Sequence, residues 1–263
     1  MNVGDWGFKN RLSRIIKPKT GRCVMLAVDH GYFGNIPGQL KCFGDLNPLF
    51  QYADALMLTR GMLRSCVSPD FDVPIVLRVS AGASMLKELS NEEINVTIED
   101  AIRLNVSAIT CSIFIGGEYE KQSLMNLSKL VNWGQEYGIP SLAVTAVGRE
   151  MVRDARYLGM ASRMAAEMGA TFVKTYYCDD FEQVTGICPV PVVIAGGKKI
   201  SEMEALQMSK NAVDKGAVGV DMGRNIFESD SPIGMIQAVR AIVHENASVD
   251  EAFEIYKNGP KGL

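Results

Sequence analysis

The sequence predicts a single-domain (β/α)8 barrel, a TIM barrel of the α/β class, over residues 1–263, with residues 1–22 as an N-terminal extension packing on the barrel. Three observations predict it. Eight short apolar runs recur along the chain, helical patterns lie between them, and no low-complexity or Pro/Gly/Ser-rich linker divides it. Continuous apolar runs, rather than strict alternation, suit parallel strands covered on both faces. Eight strand–helix units close into such a barrel, and about 250 residues is its usual size. An open doubly wound sheet is the alternative. The dinucleotide fingerprint G-x-G-x-x-G is absent after the first run, where the chain reads DHGYFGN.

The elements follow in order. The extension, WGFKNRLSRIIKPKTGR, is basic and loosely amphipathic. Trp6, Phe8, Leu12 and Ile15 are expected to cover an open end of the core or a subunit contact. A membrane-surface helix is the weaker reading. The stretch lacks the apolar h-region of a signal peptide. The strand candidates are VMLAVDH (24–30), ALMLTR (55–60), IVLRVS (75–80) and AITCSIFIG (108–116), then SLAVTAVG (141–148), TFVKTYY (171–177), PVVIAGG (191–197) and VGVDMGRNIF (218–227). Their starts lie roughly 20 to 33 residues apart, one strand plus one helix and its turns. Between them, SNEEINVTIEDAIRLN is expected to start as a helix at Ser90 with Glu93. DARYLGMASRMAAEMGA puts Tyr157, Ala161, Met164, Ala165 and Met168 on one face and stops at Gly169. SEMEALQMSKNAVDKGA opens on the capping-box pattern Ser201 with Glu204 and stops at Gly216.

Composition narrows the function classes. Apolar content of 47% and charged content of 22% are those of a soluble globular protein, and a net charge of -3 gives no reason to expect nucleic acid. Six scattered cysteines without a C-x-x-C pair read as reduced cytosolic thiols. Two histidines, His30 and His244, leave no zinc-ligand spacing, so no metal is expected. No apolar run approaches the ~18 residues of a membrane span, so no membrane partner is expected.

In such barrels the active site lies at the C-terminal ends of the strands, where polar residues take the functional reading first. They are Asp29 and His30, Arg60, Arg78 and Ser80, Thr145, Lys174 and Tyr176, Gly196–Lys199, and Gly223 with Arg224. Lys174 stands out within FVKTYY. Alternation puts Lys174 and Tyr176 on one face, Val173 and Thr175 on the other. A lysine inside a barrel loses hydration, which disfavours its ammonium form. A neutral amine is a nucleophile and forms Schiff bases with carbonyl substrates. The plain alternative is an outward lysine, or one held by a carboxylate such as Asp29. AGGKK and DMGRN supply glycines at adjacent strand ends, and Arg224 adds a bidentate cation. Loops after strands seven and eight are a recurrent phosphate site, so Gly196, Gly197, Gly223 and Arg224 are the phosphate candidates. The alternative is that these glycines only serve tight turns and that Lys198 and Lys199 are solvated. Asp29 relays protons, binds a hydroxyl, or merely caps a turn. His30 is a proton-shuttle candidate, or only hydrogen-bonded beside its turn. Cys178 is a nucleophile candidate with no histidine partner visible.

VMLAVDHGYF, FVKTYY, IAGGKK and VDMGRNIF resemble the class I aldolase superfamily of archaeal-type fructose-bisphosphate aldolases and their relatives. RLSRIIKPKTG, LMLTRGMLRS, ELSNE, IGGEYE, MVRDARY and AAEMGA are similar to its thiolase branch, so the match runs from about Trp6 to Tyr256. The resemblance implies a (β/α)8 barrel with its Schiff-base lysine at Lys174, its strand-one acid at Asp29, and phosphate contacts at Gly196, Gly197, Gly223 and Arg224. Aldolases of this superfamily carry a tyrosine proton donor after strand five, in a segment like YPRG. Here the segment reads TAVG, which puts Thr145 at the tyrosine position. A threonine hydroxyl is a far poorer acid than a phenol. That disfavours sugar-phosphate aldol cleavage and fits a thiolase, where a thiol takes the other fragment. The resemblance thus implies acetyl transfer from a phosphorylated diketone to coenzyme A as co-substrate, with no bound cofactor, in a cytoplasmic homo-oligomer, a decamer. The coenzyme site is not identified by any motif. The competing readings are a Schiff-base lyase on a phosphorylated sugar, including a transaldolase-like enzyme of aromatic precursor synthesis, and a non-catalytic phosphosugar-binding protein.

Overall fold

A computed structural model describes residues 5–36, 43–146 and 152–263. Its strands are β1 (Cys23–Ala27), β2 (Ala55–Thr59), β3 (Ile75–Arg78), β4 (Ser80–Ala81), β5 (Glu93–Ile94), β6 (Ala108–Ile113), β7 (Ser141–Thr145), β8 (Phe172–Tyr176), β9 (Val192–Ala195) and β10 (Gly219–Met222). Eight of them close into a barrel in the order β1-β10-β9-β8-β7-β6-β3-β2, every neighbouring pair parallel. These eight are the apolar runs of the sequence.

Period-two alternation divides each strand between two cores. Cys23, Met25, Met57, Val76, Leu142, Phe172 and Val193 fill the lumen. Val24, Leu26, Leu56, Leu77, Ile109 and Val173 pack outward under the helices. Every residue of β1, β2 up to Leu58, β3 and β6 is buried, which is why these strands read as unbroken apolar runs. The helix Trp6–Ile15 is N-capped by Asp5. It inserts Ile15 into the lumen cluster and buries Phe8, while Trp6 stays exposed.

One sequence expectation is corrected. Ser90 does not cap a helix; the helix runs Ile98–Arg103 and its cap is Thr97. The chain before it forms an antiparallel hairpin, Ser80 opposite Ile94 and Ala81 opposite Glu93. The physical reason is the burial of Glu92, whose carboxylate accepts from Ser80 (2.7 Å) and Tyr32 (2.8 Å), while Asn126 donates to its carbonyl (2.8 Å). Elsewhere the expected punctuation holds. Ser201 and Glu204 form a capping box, and Gly169 and Gly216 leave their helices at φ +98° and +96°. Among the described residues no helix is long and apolar enough to cross a membrane.

Candidate active site

The C-terminal strand ends open into a cavity of about 630 Å3. Lys174 reaches it from β8, in register with Val144 of β7 and Val193 of β9, both of which line the lumen. Its Nζ lies 2.7 Å from Asp221 Oδ2 and 3.7 Å from Met57 Sδ. Asp221 belongs to β10 and is buried. Burial pushes its carboxyl above the ordinary carboxylate range, against the pull of the Lys174 ammonium beside it. Neither carboxylate oxygen accepts a well-directed hydrogen bond among the described residues, so this lysine is the group that meets its charge.

Asp29, the acid expected beside the lysine, is instead tied to Arg78, which donates from Nε to Asp29 Oδ2 (3.0 Å). Both are buried. Burial alone would raise the Asp29 carboxyl, but Arg78, then Lys174 and His30, together hold it below the ordinary value. Arg78 also donates from Nη1 to Ser112 Oγ (2.8 Å), and its guanidinium lies 4.6 Å from the centre of the Tyr32 ring. The Tyr32 hydroxyl donates to Glu92, and burial pushes its phenol well up, so it stays protonated.

The remaining predicted residues fall as follows. His30 lines the cavity, edge-on to Phe227, with Nδ1 buried and unpartnered among the described residues. Burial pulls its imidazole down to about 4, so it is neutral at physiological pH. Tyr176 lines the cavity with the Arg153 guanidinium 3.7 Å from its ring centre. Thr145 lines the cavity too; it is in register with Ile113, and its hydroxyl donates to Thr175 Oγ1 at 2.8 Å and lies 3.4 Å from the Lys174 carbonyl. Val144 and Ala146 line the cavity on either side of it, and neither carries an acidic proton. The rest of the TAVG segment, Val147 and Gly148, lies outside the described residues. Burial, with Asp180 and Asp179 nearby, pushes the Cys178 thiol up, away from thiolate.

The two glycine-bearing strand ends meet beside the lysine. Gly197 adopts φ +68°, open to glycine at little cost. A Cβ on Gly223 would lie 2.3 Å from Ala27 O and 2.6 Å from His30 Cε1, so only glycine fits there. Arg224 donates from Nη2 to Gly197 O (2.6 Å), and its buried Nε has no partner among the described residues. Asn225 staples the loop: Nδ2 donates to Gly196 O (2.7 Å) and Lys198 O (3.2 Å), and Oδ1 accepts from Ile200 N (2.9 Å). A cradle of glycine backbone with an adjacent, partly unsatisfied guanidinium suits a phosphate.

The cavity therefore gathers Lys174, Asp29, His30, Thr145, Tyr176, Gly196, Gly197, Gly223 and Arg224. Sequence reading missed Asp221, Glu92, Tyr32, Ser112 and Asn225. Asp221 had a signal: it shares the strand parity of Gly219 and Gly223.

A family model described as DeoC/LacD family aldolase matches residues 23–229. The 3-hydroxy-5-phosphonooxypentane-2,4-dione thiolase of Photorhabdus laumondii is 55% identical over 254 residues, 96% of this chain and 87% of its own. The thiolase of the same name from Enterobacter sp. is 56% identical over 260 residues, 98% of this chain and 88% of its own. A solved archaeal fructose-1,6-bisphosphate aldolase, with its catalytic lysine covalently bound to the carbinolamine intermediate of its substrate, superposes with a TM-score of 0.80. That match covers 90% of this chain and 99% of the aldolase at 21% identity, a likeness of fold.

Proposed function

This chain belongs to the DeoC/LacD aldolase family, and from that premise we propose that it is a thiolase working through an imine on Lys174. It takes 3-hydroxy-5-phosphonooxypentane-2,4-dione and coenzyme A to acetyl-CoA and dihydroxyacetone phosphate. The observation that carries the reading is the buried Lys174–Asp221 pair, 2.7 Å apart, in one cavity with the two glycine-bearing strand ends. The thiolase name of relatives at 55% and 56% identity supplies the substrate.

The proposed steps use the residues of this cavity. Gly196, Gly197, Gly223 and Arg224 hold the phosphate and fix the register of the substrate over Lys174. Asp221, whose carboxyl burial pushes up, takes a proton from the Lys174 ammonium and so frees the amine. The amine adds to the C4 ketone, Asp221 returns its proton to the carbinolamine hydroxyl, and water leaves, giving an iminium. The coenzyme thiol gives its proton to Asp29, and its sulfur pair forms a bond to the C2 carbonyl carbon. The displaced π pair rests on oxygen, facing Arg78. When that carbonyl reforms, the C2–C3 bond breaks and its electron pair moves into the iminium. Acetyl-CoA departs. The enamine takes a proton at C3, with Asp29 as carrier, and water releases dihydroxyacetone phosphate and the free lysine. The reading includes a cytoplasmic homo-oligomer, a decamer, which analytical sedimentation measures.

Product analysis with and without coenzyme A tests it. We expect acetyl-CoA to form only with the coenzyme. Borohydride with dihydroxyacetone phosphate should fix an adduct on Lys174 in the wild type, and Lys174→Ala should fold, lose the adduct and lose turnover. Cleavage that proceeds equally without coenzyme A would make this a lyase instead. No adduct at saturating phosphoketone would remove the imine mechanism.

A further inference from the structure

A second cavity, of about 560 Å3, lies beside the first. Asp29, Tyr32 and Arg78 line both, so they form the shared wall. Strand order says which end of the substrate meets that wall. The phosphate loops follow β9 and β10, and β3 and β6 stand across the barrel from them. A substrate anchored by its phosphate therefore points its far end at Arg78 of β3 and Ser112 of β6. The second cavity thus adjoins the acyl end, where a thiol must arrive.

Its lining suits a long amphipathic arm. Met62 and Val96 offer apolar contact, while Thr59 and the exposed Asn95 offer hydrogen bonds to amides. Arg60 also lines it and donates to Asp100 Oδ2 at 2.8 Å. Arg64 and Arg103 donate to the other oxygen of Asp100 at 2.7 and 2.6 Å. Three guanidinium groups share Asp100, and Glu99 is also within reach of Arg103, which leaves a smaller local surplus of positive charge in a chain whose net charge is -3. The three side chains are 36%, 50% and 71% exposed, so the surplus is open to a ligand. Asp100 holds them in fixed positions, as an anchor for several phosphate groups requires.

We infer that this second cavity is the coenzyme A site. The amide-bearing arm lies along it, the nucleotide phosphates rest on Arg60, Arg64 and Arg103, and the thiol ends at the wall of Asp29, Tyr32 and Arg78. The inference rests on the proposed use of coenzyme A.

The test compares coenzyme A with N-acetylcysteamine, a short thiol that lacks the nucleotide. Arg64→Gln and Arg103→Gln each leave Asp100 with two arginine partners, so the fold keeps its carboxylate neutralised. Each is expected to raise KM for coenzyme A about tenfold, the scale of one charge-assisted phosphate contact. KM for the short thiol and kcat should stay within about twofold. The wild type gives a second readout: rising salt should raise KM for coenzyme A and leave that for the short thiol unchanged. An unchanged KM for coenzyme A in both variants would overturn the site. So would an equal loss with both thiols. A wild type that never uses coenzyme A would instead remove the thiolase reading, and the site with it.

Discussion

Lys174 was legible because a lysine inside an apolar strand has no cheap structural explanation. Its partner was not. Asp221 follows apolar residues in VGVDMG, and the glycine and arginine after it drew the reading toward phosphate. The parity of β10 sends Asp221 into the lumen against Lys174, while Asp29, in the same cavity, also pairs with Arg78. On the proposed chemistry the lysine must lose a proton before it attacks, and Asp221 is the base in contact. Asp221→Asn keeps the shape and removes that base. We expect imine formation with dihydroxyacetone phosphate, read by the rate of borohydride trapping, to fall about 100-fold, the usual scale for losing a general base. Circular dichroism should show an intact barrel. Trapping at the wild-type rate would reduce the pair to a structural contact. Thr145 makes the complementary point. Alignment by motif put it where an aldolase holds tyrosine, and it lines the cavity with Val144 and Ala146 while its hydroxyl donates to Thr175. A hydroxyl already donating to Thr175 is a poor acid, so this strand end offers no strong proton donor among the described residues.

At the scale of elements, the eight barrel strands were readable because burial on both faces leaves unbroken apolar runs. The β4–β5 hairpin was not, since two-residue strands carry no periodicity and Glu92 looks like a solvated acid until its partners are seen. The phosphate loop was half readable: its glycines announce a close approach, but the clamp on it is a side chain from the next strand end. Asn225 makes three bonds to that loop, to Gly196, Lys198 and Ile200. Asn225→Ala leaves those backbone groups without their partner, at a cost of about 1–3 kcal/mol for a buried unsatisfied group. The loop then loses its fixed curvature. KM for the phosphorylated substrate should rise about tenfold, the price of roughly one strong hydrogen bond to phosphate, while kcat falls less than about threefold. Inorganic phosphate should weaken as an inhibitor in parallel, which a purely global destabilisation would not produce. An unchanged phosphate inhibition constant would mean that the clamp does not shape the site.

The whole barrel has two poles, and the pole opposite the cavity holds a different ionic cluster. Asp54 is buried where β2 begins, and accepts from Val24 N (2.7 Å), Arg240 Nη1 (3.1 Å) and His244 Nε2 (2.7 Å). Lys17 lies 3.7 Å away, and Thr20 meets the other ring nitrogen of His244 at 2.9 Å. One carboxylate thus joins the segment after the first helix, the start of β1 and the helix Pro232–Glu245, sealing the N-terminal face where the barrel closes. Burial by itself would raise the Asp54 carboxyl, but the His244 hydrogen bond, the Val24 N–H and Arg240 outweigh it and hold the carboxyl below its ordinary value. A carboxyl lowered in the folded state contributes stability in full above the ordinary carboxylate range, and loses it as pH falls through that range toward the folded value. Asp54→Asn should therefore cost about 3 kcal/mol near neutrality, or about 6–12 °C in Tm for a chain of this size, because it removes the buried carboxylate on which Val24 N, Arg240 and His244 converge. Below about pH 4 the gap between variant and wild type should shrink, since the wild type then loses its anion too. Calorimetry at pH 7 and at pH 3.5 measures both. Because Lys174 and the phosphate loops sit at the far pole, kcat at a temperature below both transitions should be unchanged. A variant as stable as the wild type at pH 7, or one equally weakened at both pH values, would show that the cluster does not hold the barrel closed.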